Sequence, residues 1–255
     1  MTDYPRTIVP IDHVEPAARR IRAILNGQWV LDTTDARYVW EWPHYPHYYI
    51  PFTDVNQEML VDEHDVQEYS RGTARQYGLR VGDTYRPGVV RVHTEKSVEG
   101  LPDMVRFEWD ALDAWFEEDE EVFVHPRDPY TRVEALRSTR HVRVELDGMV
   151  LAETSSPVLV FETGVPVRYY LNRTEVDLGR LISTDTITAC PYKGRTSNYW
   201  SVRTDGATHE DVAWAYDFPS HVLQPIAGMV CFFNERTDLI VDGERLTRPQ
   251  TRWSR

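Results

Sequence analysis

Residues 142–176 read VRVELDGMVLAETSSPVLVFETGVPVRYYLNRTEV, and residues 21–55 read IRAILNGQWVLDTTDARYVWEWPHYPHYYIPFTDV. The two stretches lie over one another without a gap, Ile21 on Val142 and Val55 on Val176. Identical pairs include Gly27/Gly148, Glu41/Glu162, Tyr48/Tyr169, Tyr49/Tyr170 and Val55/Val176. A turn glycine, a glutamate and a Tyr-Tyr pair kept in one register point to an internal repeat. The register weakens and then returns four positions later, with Met104-Val105-Arg106-Phe107 over Met229-Val230-Cys231-Phe232 and Asp113 over Asp238. The chain is therefore read as a tandem duplication, each copy of ordinary small-domain size.

Within a copy the period is that of strands. Val142, Val144 and Leu146 alternate with Arg143 and Glu145, an apolar-polar period of two. Asp147-Gly148 follows and Asp242-Gly243 recurs later, pairs that tolerate the positive φ of a tight hairpin. Val158 to Phe161, bounded by Pro157 and Gly164, reads as a buried strand, and Val167 to Leu171, Thr196 to Val202 and Val212 to Tyr216 as further strands. Helical signals are few: a turn or two over Glu15 to Arg20, and a short helix over Thr174 to Leu181 with Thr174 as its N-cap. The expected fold is mainly β, a duplicated small antiparallel domain with short helices. The first copy is expected over 1–124 and the second over 141–255. Residues 125–140, stiffened by Pro126 and Pro129, are expected to link them.

The chain has 255 residues and a net charge of −13, from 28 basic and 41 acidic side chains. A field of that sign repels phosphate backbones and anionic membranes, so neither nucleic acid nor membrane is an expected partner, although a local basic pocket stays open. No apolar run approaches the roughly 18 residues of a membrane span, and Met1 to Pro5 lacks a signal-peptide pattern. A cytoplasmic protein is expected, with Cys190 and Cys231 as free thiols. P-loop, GxGxxG and GxSxG motifs are absent. His44 and His47 stand three apart, which on a strand sends them to opposite faces, so no metal site is expected. Glu117 to Glu121 reads as a solvated edge.

The segment Cys190-Pro191-Tyr192-Lys193-Gly194 looks like a site. A thiol near an ammonium gains thiolate character, which a nucleophile needs. Lys193 could instead anchor an anion or form a Schiff base. The first copy reads Tyr69-Ser70-Arg71-Gly72 at the similar place, so the frame survives while Cys and Lys do not. Arg71 could still enter the same space. Glu162 and Glu235 are candidate proton carriers, since a carboxylate beside a hydrophobic strand is pushed towards useful pKa values. A structural ion pair of Glu162 with Arg168 or Arg173 is the alternative. Tyr169, Tyr170, Tyr199 and Trp200 could stack on a planar ligand or belong to the core. Arg168 and Arg173 could bind a carboxylate or phosphate in bidentate fashion. Lys193, Glu162, Tyr169 and Tyr199 are expected to converge on one concavity.

Gly164 to Leu171, Arg173-Thr174, the CPYKG segment, Tyr199-Trp200, Ala213-Trp214-Ala215-Tyr216 and Asn234-Glu235-Arg236 together resemble domain-of-unknown-function family 427. The resemblance covers the second copy and extends more weakly to the first. It implies a β-tent fold and brings a nucleotidyltransferase-like label, and it adds Trp214 and Tyr216 to the ligand-binding candidates. The catalytic candidates are Lys193, Glu162, Cys190, Glu235 and Tyr169. No cofactor is named. The leading functional expectation is an enzyme acting on a small polar or anionic metabolite in the second copy. A non-catalytic ligand-binding protein is the alternative, and nucleotidyl transfer comes last, since no tight acidic pair for a metal is present.

Overall fold

The computed structural model describes residues 9–94 and 99–254. The described part of the chain forms two compact units that meet in sequence between Asp128 and Pro129. In the first unit the strands are β1 Val14–Pro16, β2 Ile21–Leu25, β3 Gln28–Thr33, β4 Arg37–Val39, β5 His47–Pro51, β6 Leu60–Tyr69, β7 Gly72–Val81, β8 Thr84–His93, β9 Met104–Phe107, β10 Ala114–Glu117 and β11 Glu120–Val122. In the second they are β12 Val133–Arg137, β13 Val142–Leu146, β14 Met149–Thr154, β15 Val158–Glu162, β16 Arg168–Leu171, β17 Leu181–Thr184, β18 Ala189–Cys190, β19 Gly194–Arg195, β20 Asn198–Arg203, β21 Thr208–Ala215, β22 Val230–Phe232, β23 Asp238–Val241 and β24 Glu244–Arg245.

Each unit has one seven-stranded and one four-stranded antiparallel sheet. The seven-stranded orders are β1-β4-β5-β9-β8-β7-β6 and β12-β15-β16-β22-β21-β20-β17, the same path twice. The four-stranded orders are β11-β10-β2-β3 and β14-β13-β23-β24, which is again one topology. Local detail repeats with it. A bulge interrupts β2–β3 between Ala23 and Ile24 and β13–β14 between Val144 and Glu145. Isolated bridges Leu31–Val55 and Ala152–Val176 occupy matching places. Asn26-Gly27 and Asp147-Gly148 both adopt left-handed φ at the hairpin tips, where glycine carries no Cβ penalty. The duplication read in the sequence is thus present in the fold.

The second unit has two cores because its large sheet is buried on both faces. One face packs on the small sheet through Leu159, Leu171, Val202, Val230 and Phe232 against Val142, Val144 and Leu239. The other face carries Val158, Val160, Tyr170, Cys231, Trp214 and Tyr199, covered by Leu223 and Ile226 of a short 3-10 segment, His221–Ile226. Period-two alternation decides which side chain joins which core, and a fully buried Leu such as Leu171 contributes about 1.5–3 kcal/mol.

Four expectations need correction. Glu15 to Arg20 forms no helix: Val14–Pro16 is an edge strand paired with Arg37–Val39. Thr174 caps nothing; it lies inside the 3-10 turn Arg173–Glu175, and the next turn, Leu178–Arg180, is capped by the Asp177 side chain. The stretch 125–140 is not all linker, because Val133–Arg137 pairs with Val158–Glu162 as the outer strand of the second unit's large sheet. Glu117 is not solvated. It is 3% exposed, accepts from the Tyr48 hydroxyl at 2.6 Å and pairs with Arg19 and Arg127.

Candidate functional site

The CPYKG segment is a tight hairpin in which Cys190 pairs with Gly194 across β18 and β19. Gly194 sits at φ +96°, a left-handed conformation that side chains resist. The carbonyls of Tyr192 and Lys193 accept from the Ser220 hydroxyl at 2.6 Å and the Ser220 amide at 3.1 Å. This fastens the hairpin to the chain that leads into His221–Ile226 and aims Lys193 at the sheet.

Lys193 forms an ion pair with Glu162, the last residue of β15, 31 positions away in sequence. Their side chains are 13% and 12% exposed. Burial alone would lower the Lys193 pKa, but the negative fields of Cys190, Glu162 and Tyr216 outweigh it, and the ammonium is held above its usual range. Burial drives the Tyr216 hydroxyl up, with Lys193 opposing. Tyr170 is raised well above its usual value by burial, and its oxygen accepts from the Trp214 indole at 3.2 Å. Glu162 also borders an open depression of about 470 Å³ walled by Leu136, Phe161, Val165 and Val167. Phe161, expected inside a buried strand, is 38% exposed there, on the phase of Leu159 and opposite the face of Lys193.

The expected convergence divides along the pleat. Tyr170, Trp214, Tyr199 and Tyr216 share the face that holds Lys193 and Glu162. Tyr169 and Trp200 are their neighbours in sequence and therefore face the opposite core. Arg173 leaves the sheet in a 3-10 turn, where it donates to Asn198 at 2.8 Å and Asp217 at 2.6 Å beside the Trp200 ring. Arg168 does not join Glu162. It makes a bidentate pair with Glu235 at 2.5 and 2.7 Å, the two side chains 7% and 0% exposed. The guanidinium lies against the rings of Trp214, Phe233 and Trp253, and Thr251 donates to Glu235 at 2.8 Å. Burial pushes the Glu235 carboxyl up, but Arg168 outweighs it and holds the carboxyl below its ordinary range. Both Glu235 oxygens are therefore occupied, by Arg168 and Thr251.

The first unit repeats the core of the arrangement. Glu41, at the place of Glu162, accepts from the Tyr49 hydroxyl at 2.8 Å and meets Arg71 at 3.3 Å. Arg71 thus stands in for Lys193. Two further side chains join them: Arg106 meets Glu41 at 3.3 Å, and His47, read in the sequence only as one of a histidine pair, lies 3.9 Å from the same carboxylate. Arg106 was legible only as the residue over Cys231 in the second register of the repeat. Both cysteines are free, Cys190 partly exposed and Cys231 buried. Burial pushes the Cys231 thiol up to about 12. Among the described residues no group of three His, Cys, Asp or Glu is placed to hold a metal ion.

The family model described as a domain of unknown function, DUF427, matches residues 13–118 and again 134–243. The chain belongs to the DUF427 family. The two matched segments fall one in each compact unit, so each unit is a DUF427 domain. No curated protein matches the chain. Among the described residues no helix is long and apolar enough to cross a membrane.

Proposed function

We propose that the second DUF427 domain binds a small polar or anionic metabolite at Lys193 and Glu162 and acts on it with Cys190. The observation that carries this reading is the Lys193–Glu162 pair, assembled from distant segments, mostly withdrawn from water, and close to Cys190 and Tyr216. Desolvating two charges costs several kcal/mol per ion, offset only by good geometry, and a task at the site supplies a reason to keep them. Because its ammonium is held protonated, Lys193 suits an anion anchor and not a Schiff-base amine. A ligand carboxylate or phosphate that takes Lys193 frees Glu162 to accept a proton. Cys190, partly exposed in the same hairpin, supplies the nucleophile. Free thiols suit a reducing compartment, so we place the protein in the cytoplasm.

A second reading, binding without catalysis, is favoured by one observation: the first domain keeps the cation, carboxylate and tyrosine but has no cysteine in its corresponding hairpin. Nucleotidyl transfer rests on the family label alone. The test is equilibrium dialysis of a metabolite extract against the full chain, read by mass spectrometry with and without incubation. Wild type is expected to retain and consume a compound, Cys190→Ser to retain that compound unchanged, and Lys193→Met not to retain it. Retention with no consumption moves the assignment to the second reading. A wild-type protein that retains and consumes nothing sinks both.

A further inference from the structure

The two domains present different chemistry on the same face of the large sheet. Strand register sets Arg106 at the place of Cys231, Arg91 at that of Trp214, His93 at that of Tyr216, Gln76 at that of Tyr199, and His47 at that of Arg168. An aromatic, thiol-bearing face in the second domain corresponds to an arginine- and histidine-bearing face in the first. We propose that this face of the first domain is a second ligand site, independent of Lys193, that takes a small dianion: a phosphate monoester or a dicarboxylate.

The charges are layered by depth. Arg71, Arg106 and Glu41 lie deep, with side chains 10%, 8% and 12% exposed. Asp12 and Glu108 lie nearer the surface, 38% and 39% exposed. Arg71 Nη1 donates to Asp12 Oδ1 at 2.8 Å. Arg106 Nη1 meets Glu108 Oε2 at 2.5 Å, and Arg91 Nη2 donates to Glu108 Oε1 at 2.5 Å. With Arg91 the cluster holds three guanidiniums to one deep carboxylate, and the two charges left over are neutralised by Asp12 and Glu108. His47 and His93 do not add to the count, because burial lowers both to about 4 and keeps them neutral near pH 7. The complement of this arrangement is two negative charges carried on oxygens. Asp12 and Glu108 supply them in the unliganded protein, and a dianion that displaces them would meet guanidinium forks suited to bidentate contact. The displaced carboxylates swing into water, where their charge is solvated. The chain's overall −13 opposes anions at long range, so binding rests on these contacts and weakens with salt.

Isothermal titration of the full chain at pH 7.5 and fixed ionic strength tests this, with phenyl phosphate and succinate as probes and benzyl alcohol as the uncharged control. At least one dianion is expected to bind and the control not to. The informative variants are Glu108→Gln and Asp12→Asn, the more exposed members, where folding is least at risk. Removing a competing carboxylate is expected to tighten binding by about tenfold, equivalent to about 1.4 kcal/mol. Arg106→Met is expected to abolish binding, with circular dichroism verifying that the domain is folded. A dianion isotherm should persist in Lys193→Met, which lacks the second domain's anion anchor, and vanish when Arg106→Met is added, which assigns it to the first domain. Tighter phenyl phosphate identifies the phosphate class, and tighter succinate the dicarboxylate class. If neither dianion binds, or if Glu108→Gln and Asp12→Asn fail to tighten binding, the network is purely structural and the proposal is overturned.

Discussion

Replacing Lys193 by methionine keeps most of the side-chain length and removes only the charge. It leaves Glu162, 12% exposed, without its cation. Breaking one half of a buried pair costs about 3–5 kcal/mol in the fully desolvated limit, and the residual exposure of both partners reduces that to about 2–3 kcal/mol. In a domain of this size 1 kcal/mol moves the midpoint by about 4 °C. The thermal midpoint of the second domain is therefore expected to fall by about 8–12 °C. Glu162→Gln should cost a similar amount by stranding the ammonium. The double variant Lys193→Met/Glu162→Gln should recover much of the loss, because two neutral groups owe no desolvation. The assay is differential scanning calorimetry of the full chain, with the first domain's transition as internal reference. If each single variant shifts the midpoint by less than about 2 °C, corresponding to under about 0.5 kcal/mol, the pair is screened by water and does not hold the hairpin.

His47 and His93 are lowered by burial from about 6.5 to about 4. A depressed folded pKa means that their contribution is complete above pH 6.5 and is lost as pH falls towards 4. The first domain should lose about 1–2 kcal/mol per histidine between pH 7.5 and 5, and His93→Gln should flatten that slope in urea titrations across pH. Ellman titration should count one thiol in the native protein, Cys190, and two after denaturation, since Cys231 is buried with its pKa raised to about 12; two fast thiols in the native state would contradict the packing. Gly148→Ala places a side chain at φ +78° with no neighbour within 4 Å of the new Cβ, so the loss should be backbone strain alone, about 1 kcal/mol, measured as a shift in urea midpoint without a change in slope.

Much of the fold was legible because a strand's side-chain period is two and a repeat doubles every signal. The register of Ile21 to Val55 over Val142 to Val176 located matching strands and hairpin glycines in both domains. The same periodicity could not say which of two adjacent tyrosines faces which core. Tyr169 and Tyr170 are equivalent in composition, and only the packing of one sheet face on Val142 and Leu239, and of the other on Leu223 and Ile226, distinguishes them. Residues 133–137 looked like connection because an edge strand with one paired side carries little hydrophobic pattern. Ion pairing was the least legible property. Arg168 has Glu162 nearby in sequence, yet β16 pairs with β22 and brings Glu235 to it instead, while Glu162 takes Lys193 from a hairpin 31 residues on. Sequence alone determined that two like domains exist, where their turns fall and which carboxylate recurs in both. The tertiary structure decided each carboxylate's cation, because a charge leaving water needs a partner within a few ångströms, and that distance is set by which strands lie side by side.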